Sequence, residues 1–137
     1  MGRDITMNGR EFLANNSTQD ERTFGIFLRQ RREELGLTLR ELASKLQVTA
    51  AYLSDIEKGN RRAPINYIGE LCVALAISEE ERVLFEDLAN ITHRMACPDM
   101  EPYLRNKEIA RVALRKARDR DISDEKWAEI LRIIDES

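Results

Sequence analysis

The sequence predicts an all-α fold, on three observations. Apolar residues recur three and four positions apart, while β-branched residues are scattered, which is the pattern of amphipathic helices rather than strands. Thr18-x-x-Glu21, Thr38-x-x-Glu41 and Ser78-x-x-Glu81 have capping-box spacing, in which a hydroxyl and a carboxylate satisfy backbone N–H groups left free at a helix start. Gly36 and Gly59 each follow a helical stretch, where a residue tolerant of the left-handed conformation ends a helix at little cost.

The elements follow in order. Residues 1–18 are polar and are expected to form a mobile arm. A first helix is predicted over about 19–35, with Phe24, Phe27, Leu28 and Leu35 on one face. A second covers about 39–46, with Leu39, Leu42, Ala43 and Leu46 inward. A third covers about 50–58, held by Leu53 and Ile56. A fourth starts after Pro64 and carries Ile65, Ile68, Leu71, Cys72 and Leu75. A fifth follows Ser78, with Val83, Leu84, Leu88 and Ile91. Residues 19–94 are thus expected to form one domain. Met95–Pro102 holds two prolines and reads as a break. Residues 95–137 are then expected to be a helical extension of two helices. One spans roughly 103–118, with Leu104, Ile109, Val112, Ala113 and Ala117; the other spans roughly 124–135, with Trp127, Ile130, Leu131 and Ile134. Ser123 suits the cap of the last helix, and Asp124 and Glu125 suit its positive end.

Composition narrows the function classes. A chain of 137 residues can bury a real core. No apolar run reaches the roughly 18 residues of a membrane span. The N-terminus lacks the apolar stretch of a secretory signal, so a cytoplasmic location is expected. Cys72 lies in an apolar run and Cys97 beside Pro98; both are expected to be free thiols. The Cys and His spacing fits no metal site, and no cofactor is expected. His93 is the sole histidine and has no recognisable catalytic partner, and no glycine-rich phosphate loop is present. The carboxylates Glu79, Glu80, Glu81, Glu86 and Asp87 read as a solvated helix face. An enzyme is not expected.

Net charge is −3, but it is unevenly spread. Residues 22–62 carry 9 basic and 5 acidic groups, whereas residues 63–101 carry 2 basic and 8 acidic. A local basic face, not the whole-chain sum, is the electrostatic footprint of a nucleic-acid binder. That basic segment contains the second and third predicted helices. With Leu53 and Ile56 facing inward, Ala51, Ser54, Asp55 and Lys58 point outward, and Thr49 and Ala50 sit at the leading end. Two alanines keep that end narrow enough for a DNA major groove. Alanine can contact a thymine methyl and Asp can accept from cytosine N4. Lys58, Asn60, Arg61 and Arg62 follow at once, suited to phosphates, as is Thr49.

The stretch FLRQRREELGLTLRELASKLQVTAAYLSDIEKGNRRAP resembles the phage-repressor-like (Xre-type) helix-turn-helix domain. The likeness runs from about Phe24 to Ile91, roughly half the chain. It rests on Arg29 and Arg32 before Leu35-Gly36-Leu37, on Thr38, on Glu41-Leu42-Ala43, and on Leu53, Ile56, Glu57 and Gly59. The resemblance implies a five-helix domain that binds double-stranded operator DNA, usually as a homodimer. It assigns base contact to Ala50, Ala51 and Asp55, with help from Tyr52 and Ser54. It assigns phosphate contact to Thr38, Arg40, Lys58, Asn60 and Arg61. Arg32 and Glu57 resemble the family's internal ion pair, with a positional role. Two residues depart from the family pattern. Gln47 stands in the turn where many members have Gly, which implies an altered turn. Ala50 and Ala51 replace longer polar readers, which shifts weight to DNA shape and deformability.

The C-terminal region carries seven basic and two acidic residues from Arg105 to Arg120, read as a solvated face or a second nucleic-acid contact. Its apolar side must pack somewhere. Trp127, Ile130, Leu131 and Ile134 are candidates for a dimer interface matching a two-fold operator. The expected function is a transcriptional regulator, a repressor on such an operator. The rivals are an antitoxin that binds a protein toxin as well as its promoter, and an interaction module without DNA binding.

Overall fold

The computed structural model describes residues 9–15 and 18–137. It divides into two compact units, Met1–Pro98 and Asp99–Ser137. Among the described residues every regular element is helical. In the first unit these are α1 (Gly9–Asn15), α2 (Thr23–Glu34), α3 (Leu39–Leu46), α4 (Ala50–Glu57), α5 (Ile68–Ala74) and α6 (Glu79–Ile91). A 3₁₀ turn, Ile65–Tyr67, leads into α5.

The expected boxes at Thr38 and Ser78 form. Each hydroxyl accepts the N–H of the glutamate three residues on, and that glutamate's carboxylate accepts the N–H of the capping residue. The expected box at Thr18 and Glu21 does not open a helix. α2 starts at Thr23 with Arg22 as its N-cap and no side-chain cap, and Asp20 forms a hydrogen-bonded turn just ahead of it. Its carboxylate accepts Arg22 N–H at 2.8 Å, and its own N–H donates to Thr23 Oγ1 at 2.9 Å.

The core is built from one face of each helix. Phe24, Leu28, Leu42, Leu53, Leu71, Leu75, Phe85 and Leu88 are wholly buried. Three expected core residues lie outside it: Leu35, Ile65 and Val83 are exposed. Leu35 follows the last turn of α2, and Ile65 sits in the 3₁₀ turn rather than in a helix. On α6 the buried residues are Phe85, Leu88 and Ala89, a face that leaves Val83 on the opposite side.

The segment read as a polar arm is helical over Gly9–Asn15, and it contributes Phe12 to the core. Phe12 meets Phe27 edge-on with ring centroids 5.0 Å apart, and Phe27 in turn lies 5.6 Å from Phe85. Residues 1–8 of that expected arm, with Asn16 and Ser17, lie outside the described residues.

Two ion pairs tie the helices together. Arg31, nearly fully buried, donates to both Glu81 oxygens at 2.6 and 3.3 Å and to Leu75 O at 3.3 Å, joining α2 to α6. Arg32 binds Glu57 through two hydrogen bonds of 2.7 and 3.0 Å and donates to Leu37 O at 2.8 Å. That pair joins α2 to the end of α4, as the resemblance implied. Between the same two helices, Gly25 faces the carbonyl oxygens of Ile56 and Glu57, and a Cβ there would collide with both.

The second unit contains α7 (Glu101–Arg105), α8 (Glu108–Arg120) and α9 (Asp124–Asp135). The helix expected over 103–118 is therefore two helices. The break falls at Asn106, whose side-chain amide donates to Pro102 O at 3.0 Å and so competes with the helical ladder. Arg111 then donates to the carbonyls of Leu104 and Arg105 at 2.6 and 2.8 Å, closing the end of α7. α8 ends on Asp121 in a left-handed conformation, and Ser123 caps α9 through Lys126 N–H.

Candidate nucleic-acid interface

α3 and α4 pack against each other across the turn Gln47-Val48-Thr49. Gln47 holds the left-handed conformation usually left to glycine, with φ 58° and ψ 41°. A side chain in this conformation carries a steric cost that glycine would not. Val48 N–H donates to Ala43 O at 3.0 Å, which closes the end of α3.

Both helix starts are exposed and capped. Thr38 Oγ1 accepts Glu41 N–H at 3.0 Å, and Thr38 N–H goes to the Glu41 carboxylate at 2.8 Å. The hydrogen bond from the Thr38 backbone holds the Glu41 carboxyl below its ordinary range. Arg40, on the first turn of α3, is exposed. Thr49 Oγ1 accepts Tyr52 N–H at 3.1 Å and opens α4.

Along α4, Leu53 and Ile56 are buried, while Ala51, Ser54, Asp55 and Lys58 fall at the i, i+3, i+4, i+7 spacing of one face. Ala51 and Lys58 are exposed; Ser54 and Asp55 are half-buried. Ala50 and Tyr52, expected beside them at base edges, are half-buried, with part of each side chain packed against the core. Tyr52 has a further contact that its spacing did not suggest. The Arg61 guanidinium stacks over its ring at 5.1 Å from the centroid.

The basic exit from α4 is a held loop. Gly59, at φ +80°, makes the turn after the helix, where a side chain would also meet Arg22. Asn60 N–H donates to Asp55 O at 2.8 Å. Ala63, two residues beyond Arg61, is fastened on both sides. Its N–H donates to Thr92 Oγ1 at 2.8 Å, and its carbonyl accepts from His93 Nε2 at 3.0 Å. A carbonyl can only accept, so Nε2 carries the hydrogen. The lone histidine is thus part of the loop's anchor, a role that only tertiary contact reveals. Lys58, Asn60, Arg61 and Arg62 stay exposed along this anchored segment.

Arg32 sets the angle between α2 and the end of α4. The hydrogen bonds that Arg32 donates to Glu57 raise its already high pKa, so the guanidinium keeps its charge. Among the described residues no group of His, Cys, Asp and Glu could hold a metal ion. No helix among them is long and apolar enough to cross a membrane.

Residues 23–85 match a family model described as a helix-turn-helix domain. Two relatives, uncharacterized HTH-type transcriptional regulators from two strains of Mycobacterium tuberculosis, are each 34% identical over 56 residues. The match spans 41% of this chain and 40% of each relative's length. Among solved structures, the clp gene regulator ClgR of C. glutamicum is 30% identical, with a TM-score of 0.43 over 53% of this chain and 90% of that one. A SinR protein/SinI protein complex is 25% identical, with a TM-score of 0.41 over 82% of this chain and 94% of that one.

Proposed function

Residues 23–85 belong to the helix-turn-helix domain family, and from that premise we propose that the chain is a sequence-specific DNA-binding transcriptional regulator. It acts as a repressor on a two-fold operator, as a homodimer in the cytoplasm. α4 of each subunit lies in a major groove, with the two grooves about 34 Å apart. Ala50, Ala51, Ser54 and Asp55 face base edges, and Tyr52 backs them. Thr38, Arg40, Thr49, Lys58, Asn60, Arg61 and Arg62 hold phosphates on either side.

The observation that carries this reading is the pairing of a capped, small-fronted α4 with a basic exit loop fastened at Ala63. A fastened cation loses less freedom when it meets phosphate. The experiment is selection of sites from random duplex DNA, followed by salt titrations of Arg61→Ala. A palindromic site should emerge. The variant should bind all sequences more weakly, with a salt slope smaller by about one. No selected site, with flat titrations at low salt, would leave a protein-interaction module as the function.

A further inference from the structure

A cleft of about 300 Å³ opens between α5 and α6, at the lower end of the size range of small-molecule sites. One wall is apolar. Ile65 comes from the 3₁₀ turn and Ile68 from α5, and Ala89 on α6 extends the same surface. The other wall is polar. Arg82, Glu86 and Asn90 follow one another at four-residue steps along one face of α6, and all three are half-buried.

Gly69, in the first turn of α5, borders the cleft. Its φ is not left-handed, and a Cβ there would meet nothing within 4 Å. Neither backbone conformation nor packing therefore calls for glycine. What the missing side chain leaves is room in the cleft.

The charged pair can receive two opposite charges at once. Arg82 Nε donates to Glu86 Oε2 at 2.9 Å. The two terminal nitrogens of Arg82 then face outward for a carboxylate, and Glu86 Oε1 is left for an ammonium. Asn90, one turn beyond Glu86, adds an amide oxygen as a further acceptor. A singly charged ligand would compete with the Arg82–Glu86 bridge. A ligand with adjacent charges of both signs lies against it, each charge beside its complement. An α-amino acid has that pattern. An apolar side chain on it would cover Ile65, which is 45% exposed.

We infer that the cleft between α5 and α6 binds a free α-amino acid with an apolar side chain, its carboxylate on Arg82, its ammonium on Glu86 and Asn90, and its side chain against Ile65 and Ile68. The site adjoins the anchor of the basic loop. Ile65 lies two residues after Ala63 and Asn90 two before Thr92, and the Ala63 N–H donates to Thr92 Oγ1. An occupant therefore touches both sides of that anchor. On the DNA-binding reading above it is an effector; its binding does not depend on that reading.

An NMR titration of the isotope-labelled full chain tests the site. The probes are L-leucine, L-isoleucine, L-valine, L-methionine and L-phenylalanine, up to about 10 mM, above the Kd of a weak site. At least one should give saturable shifts at the backbone amides of Gly69, Glu86 and Asn90. Its N-acetyl and amide derivatives, which lack the ammonium or the carboxylate, should each bind at least about tenfold more weakly. Gly69→Leu fills the cleft with a better helix former. It should keep or raise the parent's melting temperature and lose the shifts. No saturable shift with any probe overturns the inference, as does a folded Gly69→Leu that binds like the parent. Derivatives that bind as well as the free amino acid overturn the zwitterion assignment. Affinity for the selected DNA site should change when the amino acid is added; an unchanged affinity removes the effector role alone. If no DNA site is selected while the titration saturates, the regulator reading fails and the cleft stands.

Discussion

Replacing Arg32 with methionine isolates the ion pair that sets α4 against α2. The Glu57 side chain is 5% exposed and accepts two hydrogen bonds from Arg32. Arg32→Met would leave that carboxylate buried without a cation, and would strip Leu37 O of its 2.8 Å donor. Breaking one half of such a pair costs about 3–5 kcal/mol, whereas exchanging both halves for apolar groups is often close to neutral. The double variant Arg32→Met with Glu57→Leu should therefore recover most of the loss. Urea unfolding of the four proteins in the cycle is the assay. With a slope of about 1–3 kcal/mol per molar urea, the single variant's midpoint should fall by at least about 1 M. DNA affinity gives an independent readout, since α4 loses its fixed angle in the single variant. If the two substitutions add independently, with no coupling energy, the pair contributes nothing beyond its separate side chains and the positional argument is refuted.

Three further outcomes follow from the same geometry. Gln47→Gly should stabilise the chain by about 0.5–1 kcal/mol, because relief of the left-handed cost outweighs the added freedom of the unfolded chain; a lower melting temperature would contradict the strained turn. Burial pushes the Glu81 carboxyl up, but the Arg31 hydrogen bonds and charge, with the Ser78 contacts, outweigh it and hold it below its usual 4.5. Its stabilisation is thus full above that value and is lost as pH falls through the lower folded value; Glu81→Gln should flatten this acid limb in unfolding titrations, and an unchanged limb would remove Glu81 from the account. Tyr52→Phe keeps the ring under Arg61 and should bind DNA like the parent, while Tyr52→Leu should lose several-fold affinity. If Tyr52→Phe fails as badly as Tyr52→Leu, the hydroxyl matters and the ring is not acting as a platform.

What the sequence revealed follows from the range of each interaction. Helices α3 and α4 and the caps at Thr38 and Ser78 rest on contacts within four residues, so spacing alone predicts them. The Arg32–Glu57 pair came from the family resemblance, not from spacing. Phe12 escaped notice because a single large apolar residue in a short polar run shows no periodicity, and only the Phe27 ring beneath it reveals its role. Gly25 is likewise silent, since its reason is a carbonyl more than 30 residues away. Leu35 and Val83 show the converse error. Periodicity says which residues share a face but not where the helix ends or which bulky neighbour turns that face inward. The Ala63 anchor joins residues about 30 apart in the chain and has no local signature.

The uneven charge has a kinetic consequence. Residues 22–62 are net positive, while residues 63–101 are strongly negative. Near a polyanion such a chain feels a torque as well as an attraction. On the proposed DNA-binding reading the basic segment is drawn in and the acidic one pushed away, so encounters are sorted by orientation before any base is touched. Little time is lost to wrong-way collisions, and the acidic segment limits unproductive adhesion to bulk DNA. Added salt should blunt this alignment along with the attraction, as the screening length shrinks below the size of the molecule.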